Sequence, residues 1–190
     1  MGYYRGFKSW AKLVADEARA DLGLTRWNRL DPRQLAKFLD IPVLALSSMK
    51  SSAPEVVHFL VTEPESFSAV TVFDGTKRAI IHNDAHSPGR QNSNIGHELG
   101  HGLLGHPPTP PLDANGCRVW DEDVEDEANW LGGCLLVTDE MCMTIVRNRW
   151  SEEEAALKYG VSPKMIRFRV NASGARKRVH RARNYGSTRT

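Results

Sequence analysis

Cysteine is scarce in this sequence, and long apolar runs are absent. The 190 residues include three cysteines, Cys117, Cys134 and Cys142, and no two of them have the C-x-x-C spacing of a metal or redox motif. An odd number without such spacing indicates free thiols in a reducing compartment. No apolar run reaches the roughly 18 residues that a membrane span requires, and residues 1–7 lack the apolar core of a signal peptide. We therefore expect a cytoplasmic protein without a membrane partner.

A pair of histidines is the most informative feature that is present. His97 and His101 are four residues apart, and Glu98 directly follows the first. On a helix, residues i and i+4 lie on one face about 5–6 Å apart, so both imidazoles can reach one metal ion while the glutamate falls just off that face. Apolar residues recur at helical spacing around the pair and place it on a largely buried helix. The pattern is typical of a zinc hydrolase that cleaves peptide bonds; the alternative is two partly buried histidines satisfied by hydrogen bonds.

A catalytic zinc usually has three protein ligands, so the pattern requires a third from elsewhere in the chain. The best candidate is Glu125, in an acidic segment that runs into an apolar stretch. On a helix, Glu125 would lie on the side that carries small residues, and small residues let two helices approach closely. Ala128 and Gly132 lie on that side, and Gly133, next to Gly132, is a further small residue that would allow close approach. Glu127 and Glu122 are the other candidates for the third ligand. The alternative for the acidic segment is a solvated helix start favoured by the helix macrodipole, which is the better interpretation of residues 121–123.

Four segments of the chain together resemble a known family. They are a strand-like segment at 78–83, Arg90, the histidine motif at 97–101, and the sequence Glu-Asp-Glu-Ala-Asn at 125–129. In this combination they resemble the ImmA/IrrE metallo-endopeptidases. The chain departs from the family pattern at several positions. For example, Gly96 and Gly132 stand where this family usually has alanine.

The resemblance implies a set of roles for individual residues. His97, His101 and Glu125 would hold one zinc ion per chain, and Glu98 would be the catalytic general base. Asn129 matches the position at which a side chain of this wider group supports a histidine ligand through a hydrogen bond. The function predicted is zinc-dependent hydrolysis of a peptide bond in a protein partner, which family resemblance suggests is a transcriptional repressor. A second hypothesis is a regulator without catalytic activity that binds DNA or a protein partner on the same scaffold.

Two residues upstream of the motif could line the substrate cleft. His82 ends the strand-like segment, and Arg90 precedes the motif by about two helical turns. The alternative for each is a loop or surface residue without contact to the substrate. His106 lies off the ligand face, and we expect it to cap the end of the motif helix.

Hydrophobic patterning predicts an α+β fold, with a small, mostly antiparallel sheet beside two metal-bearing helices. Helices are predicted at about 6–22, from Asp31 to Phe38 with Pro32 in the first turn, and at about 91–105. Strands are predicted at 43–46, 56–61, 69–73 and 79–82, the last two joined as a hairpin through Asp74-Gly75. A domain of this size needs no disulfide bonds to hold its core.

The C-terminal part resembles a helix-turn-helix. Residues 151–170 contain a helix, a tight turn at Gly160, and a second helix that begins with Ser162-Pro163. Nine Lys or Arg residues and no acid follow Pro163, so this end could bind phosphates or an acidic partner. Packing that completes the catalytic domain is the favoured alternative. We divide the chain into a metallopeptidase domain at 1–150, the helix pair at 151–178, and a basic tail at 179–190 that is expected to be disordered.

Overall fold

A computed structural model describes residues 3–107 and 121–187. In chain order its regular elements are α1 (Phe7–Asp21), α2 (Pro32–Phe38), β1 (Val43–Ala45), β2 (Ala69–Asp74), β3 (Lys77–His82), α3 (Pro88–Leu104), α4 (Glu122–Leu136), α5 (Asp139–Asn148), α6 (Glu152–Tyr159), α7 (Pro163–Ala172) and α8 (Ala175–Ser187). Short 3-10 turns at Leu46–Met49 and Pro64–Ser66 and a π-helical turn at His58–Thr62 connect β1 to β2. None of the described helices has the length and apolar character needed to cross a bilayer.

The helices begin where short polar side chains can accept hydrogen bonds from free backbone N–H groups. Asp31 caps α2, with Pro32 in its first turn, and Asp121 caps α4. Ser151 and Glu154 form a reciprocal capping box at the start of α6. Ser162 accepts from the N–H of Met165 at the start of α7. These local signals explain why the helix starts predicted at Asp31-Pro32 and Ser162-Pro163 agree with the structure. The motif helix, which has no side-chain cap, begins at Pro88, three residues before the predicted start.

The three strands form a mixed sheet in the order β1-β3-β2. β2 and β3 pair antiparallel from Ala69↔His82 to Asp74↔Lys77, and Gly75 in the turn has a φ of 59°, which glycine adopts without strain. β1 pairs with β3 in parallel over three residues. The predicted α+β class and the hairpin are therefore confirmed.

The strand predicted at 56–61 is wrong. Residues 58–62 form a π-helical turn instead, and Val61 in that turn is 70% exposed. The Asn83 side-chain amide donates to the carbonyl oxygens of Phe59, Pro64 and Phe67 at 2.8, 3.2 and 3.1 Å. These contacts tie the turn and the residues that follow it to the end of β3, with the two amide hydrogens shared among three carbonyl oxygens.

The core lies between α3 and α4, with α1 packed on α4, α2 on α3, and the sheet against α3. Ile95 and Leu99 of α3 and Leu131 and Leu135 of α4 are buried members of this core. Cys134 and Cys142 are free and buried, and burial raises the pKa of Cys134 to about 11. Cys117 lies outside the described residues.

The C-terminal helices join this core. α5 packs against α7 and α8, and α6 packs against α7. Tyr159, Ile166 and Val170 are buried, so the pair α6–α7 has a structural role in the fold. The structure also differs from the expected disordered tail, because α8 continues to Ser187. Val179 is buried one turn after the buried Ala175, and two apolar residues at this spacing are enough to seat a helix on a neighbouring surface.

Two buried arginines hold the C-terminal end of α4. Arg19 of α1 donates to the carbonyl of Leu135 at 2.5 Å, and Arg169 of α7 donates to the carbonyl of Val137 at 2.9 Å. Arg169 also pairs with Asp139 at 3.0 Å. The last carbonyls of a helix have no partner within it, and cations are favourable at that end. These contacts fix the position of α4.

Candidate metal centre

Glycines allow α3 and α4 to pack closely. A Cβ added at Gly100 would lie 2.5 Å from the carbonyl oxygen of Ala128, and one added at Gly132 would lie 2.5 Å from that of Gly96. The predicted role of Ala128 and Gly132 in close packing therefore agrees with the structure. Gly133 faces α7 instead, with an added Cβ 2.6 Å from Cδ of Arg169. Because the two helices are this close, a side chain of glutamate length on α4 can reach the histidine face of α3.

Three side chains converge between these helices. Nε2 of His97 lies 3.0 Å from Nε2 of His101. One carboxylate oxygen of Glu125 lies 3.2 Å from Nε2 of His97, and the other lies 3.6 Å from Nε2 of His101. Ligand atoms at Zn–N and Zn–O distances of about 2.1 Å in a tetrahedron are about 3.4 Å apart. The three spacings bracket that value, so the residues fit a zinc-sized ion.

The donor chemistry of the cluster also fits a cation. Two imidazole nitrogens and a carboxylate oxygen face one another, and their lone pairs repel unless a proton or a cation lies between them. The hydrogen bonds from His101 and His97 hold the pKa of Glu125 well below its usual range, so the carboxylate stays ionised. Burial acts to lower the pKa of His97, but the hydrogen bond to Glu125 and the charge of Glu98 outweigh burial and leave that pKa raised.

Asn129 lies behind His97. Its side-chain oxygen is 3.0 Å from Nδ1 of His97, and an amide oxygen can only accept, so Nδ1 carries the proton. In the neutral ring, which is the form that binds a metal, Nε2 of His97 then presents its lone pair to the cluster. This is the contact that the family resemblance implies for Asn129.

Glu98 is close enough to His97 for its charge to raise the pKa of that ring, and it also contacts the sheet. Its carboxylate accepts a hydrogen bond of 2.6 Å from the hydroxyl of Thr71, on β2. Thr71 is a residue that the sequence interpretation missed. It lies 27 residues away on a hairpin strand, and no local pattern distinguishes it from any other threonine in a strand.

The other candidates for the third ligand lie elsewhere. Glu127 contacts His106 at 3.3 Å, and His106 in turn contacts His101. Glu122 is exposed in the first turn of α4. Within the described residues, only His97, His101 and Glu125 form a group that could hold a metal ion.

The two residues suggested to line the cleft are not brought to this cluster. Arg90 pairs with both carboxylate oxygens of Glu65 at 2.5 and 2.6 Å. His82 is 5% exposed and lies 3.4 Å from the guanidinium of Arg33. Burial, and then the charge of Arg33, lower the pKa of His82, which is therefore a neutral ring within the fold. The role of both residues in lining a substrate cleft stays a prediction.

A comparison with models of protein families matches residues 39–171 to the IrrE N-terminal-like domain of peptidase family M78. The match includes β1 to β3, the whole of the metal-ligand cluster, and most of α7. No match was found among curated proteins or among solved structures. Since the matched region is well over half of the chain and contains the three clustered side chains, this protein belongs to peptidase family M78 and carries its IrrE N-terminal-like domain.

Proposed function

We propose that this protein is a zinc-dependent endopeptidase that hydrolyses a peptide bond in a protein partner, and that this partner is a DNA-binding transcriptional repressor. One observation carries the proposal: the ligand atoms of two histidines and a glutamate lie 3.0–3.6 Å apart, and Glu98 follows the first of these histidines on the same helix. Membership of a metallopeptidase family supports the reaction. The repressor as substrate is supported by the family resemblance of the sequence motifs.

The roles proposed for the chain's own residues follow from their contacts. His97, His101 and Glu125 would hold the ion, which when bound supplies Lewis acidity that activates water and polarises a peptide carbonyl. Glu98 would accept a proton from the attacking water and pass it to the leaving amine. Thr71 donates to one oxygen of Glu98 and would orient the carboxylate, so that the other oxygen would be the one that accepts the proton.

The experiment compares the Glu98→Gln variant with the wild-type protein. Both are incubated with purified repressor encoded near the gene, with zinc and with a chelator, and cleavage is followed by mass spectrometry. We expect zinc content near one ion per chain in both proteins and a rate lower by about 10²–10⁴-fold in the variant. Glu122→Gln removes the same charge from an exposed site on α4 and is the matched control. Unchanged cleavage in Glu98→Gln would contradict the proposed mechanism.

The ligand assignment is tested separately by metal analysis. Glu125→Ala should lose most of its zinc, because only two ligands remain, whereas Glu122→Ala should retain it. Equal retention by the two variants would refute the role of Glu125.

A second candidate function is binding of nucleic acid by the C-terminal end. The supporting observation is the charge of α8, on which Arg176, Lys177 and Arg181 are all exposed. If this candidate is correct, Lys177→Glu with Arg181→Glu should abolish the biological effect, and Glu98→Gln should preserve it. DNA binding that weakens steeply with salt would support it.

A further inference from the structure

A second histidine lies directly behind His101. α3 ends at Leu104, and Gly105 follows it with a φ of 67°, which turns the chain back. The backbone N–H of His106 then donates to the carbonyl of His101 at 3.1 Å. The His106 ring is carried onto the outer side of His101, with ring centroids 5.0 Å apart. Nδ1 of His106 lies 2.9 Å from Nδ1 of His101.

The positions of the protons in this contact follow from the neighbours of each ring. Nε2 of His101 faces the ligand cluster, so the neutral ring carries its proton on Nδ1. Nδ1 of His106 must then accept, which places the proton of His106 on its own Nε2. That Nε2 lies 3.3 Å from a carboxylate oxygen of Glu127, which can only accept. One arrangement of protons therefore satisfies every contact from Glu127 through His106 to His101.

We propose that His106 and Glu127 are positioning residues that hold His101 as a ligand, with its Nε2 lone pair directed at the ion. Glu127 fixes the tautomer of His106, and His106 accepts the Nδ1 proton of His101. The inference rests on the proposed zinc site. His106 would then support His101 in the same way as Asn129 supports His97.

Partial burial of His106 and Glu127 strengthens this chain of hydrogen bonds. The side chains of His106 and Glu127 are 10% and 23% exposed, so water competes weakly for their hydrogen bonds. Without Glu127, His106 could carry its proton on Nδ1 and would then oppose the Nδ1 proton of His101 with another donor. Loss of a partner of this kind lowers metal affinity by about 10–100-fold.

The test measures zinc affinity by competition with a chromophoric chelator, in the full chain. His106→Ala and Glu127→Ala are each expected to bind zinc about 10–100-fold more weakly than wild type. In His106→Asn, the amide oxygen takes the place of Nδ1 and keeps an acceptor for His101, so affinity should stay within about tenfold of wild type. Glu122→Ala, on the same helix, is the control and should bind as wild type does.

Two further measurements separate positioning from a general structural role. Thermal unfolding of the metal-free proteins should show similar midpoints for wild type and Glu127→Ala. In ¹⁵N NMR spectra of the zinc-loaded wild type, the His106 ring should be protonated at Nε2, and in Glu127→Ala a fraction of the other tautomer should appear.

The outcomes distinguish the two proposals. Unchanged affinity in His106→Ala and Glu127→Ala would overturn the positioning role, and so would a loss in His106→Asn as large as that in His106→Ala. If wild type itself binds no zinc, the proposed function fails and the inference fails with it.

Discussion

Replacing Gly100 by alanine should push α3 and α4 apart. An alanine Cβ at this position would lie 2.5 Å from the carbonyl oxygen of Ala128, whereas ordinary van der Waals contact begins at 3.4 Å. The helices must therefore separate by about 0.9 Å at this point, since backbone on both sides leaves no side chain free to rotate away.

The magnitude combines two opposing effects. Alanine is favoured over glycine inside a helix by about 1 kcal/mol. Overpacking a rigid contact costs about 1–3 kcal/mol, and a clash with backbone belongs at the upper end of that range. The free energy of unfolding should therefore fall by about 1–2 kcal/mol, as measured by urea denaturation of the metal-free protein.

Zinc affinity should fall as well. Glu125 lies one turn before Ala128 on α4, so its carboxylate moves with the backbone that is displaced. Metal–ligand distances tolerate changes of only about 0.2 Å, and a shift of about 0.9 Å should weaken zinc binding about tenfold or more.

Gly102→Ala is the matched control, two residues further along α3. An added Cβ there meets a flexible end of Arg78 at 3.1 Å, and stability and zinc affinity should be retained. If Gly100→Ala proved as stable as wild type and bound zinc equally well, the close backbone approach of the two helices would be refuted.

Three other predictions concern catalysis, pH and stability. Thr71→Val removes the donor to Glu98, so turnover should fall about tenfold with zinc content unchanged; an unaffected rate would show that the hydrogen bond does not orient the base. Zinc affinity should decrease as the pH falls through the raised pKa of His97, because protons then compete with zinc for its Nε2 while Glu125 stays ionised. Affinity titrations between about pH 5.5 and 8.5 check this, and stronger zinc binding in acid would contradict it. Arg169→Met leaves the carbonyl of Val137 at the end of α4 without its buried donor, while Asp139 keeps its ion pairs with Lys12 and Arg178. Urea denaturation should therefore show a loss of about 1–3 kcal/mol, and a loss below about 0.5 kcal/mol would argue against this role.

The parts of the site that the sequence predicts are those set by helical spacing. His97 and His101 share a face because they are four residues apart, and Glu125 faces them because its side of α4 is the one with small residues. Helix starts were likewise predictable, since capping residues act over three or four positions in the sequence.

The parts that could not be predicted depend on contacts between distant segments. The segment 56–61 has the composition of a strand, but it forms a helical turn whose Phe59 carbonyl accepts from the amide of Asn83, more than 20 residues away. Glu127 lies two positions after Glu125 on α4, and its contact with His106 also depends on the turn at Gly105, which follows α3. Proton positions in such a chain of contacts follow from three-dimensional neighbours, and no local pattern contains them.

Arg19 and Arg169 both donate hydrogen bonds to the end of α4, but only Arg169 lies within the region that matches the family model. The unit that folds therefore extends beyond the matched region. Arg19 belongs to α1, which precedes residue 39, where the family match begins. The buried residues Phe7 and Ala11 on the same helix are part of the common core. A fragment restricted to residues 39–171 would keep every proposed ligand but would expose that core and lose the guanidinium bound to Leu135. The smallest unit that folds stably is therefore larger than the region that matches the family model.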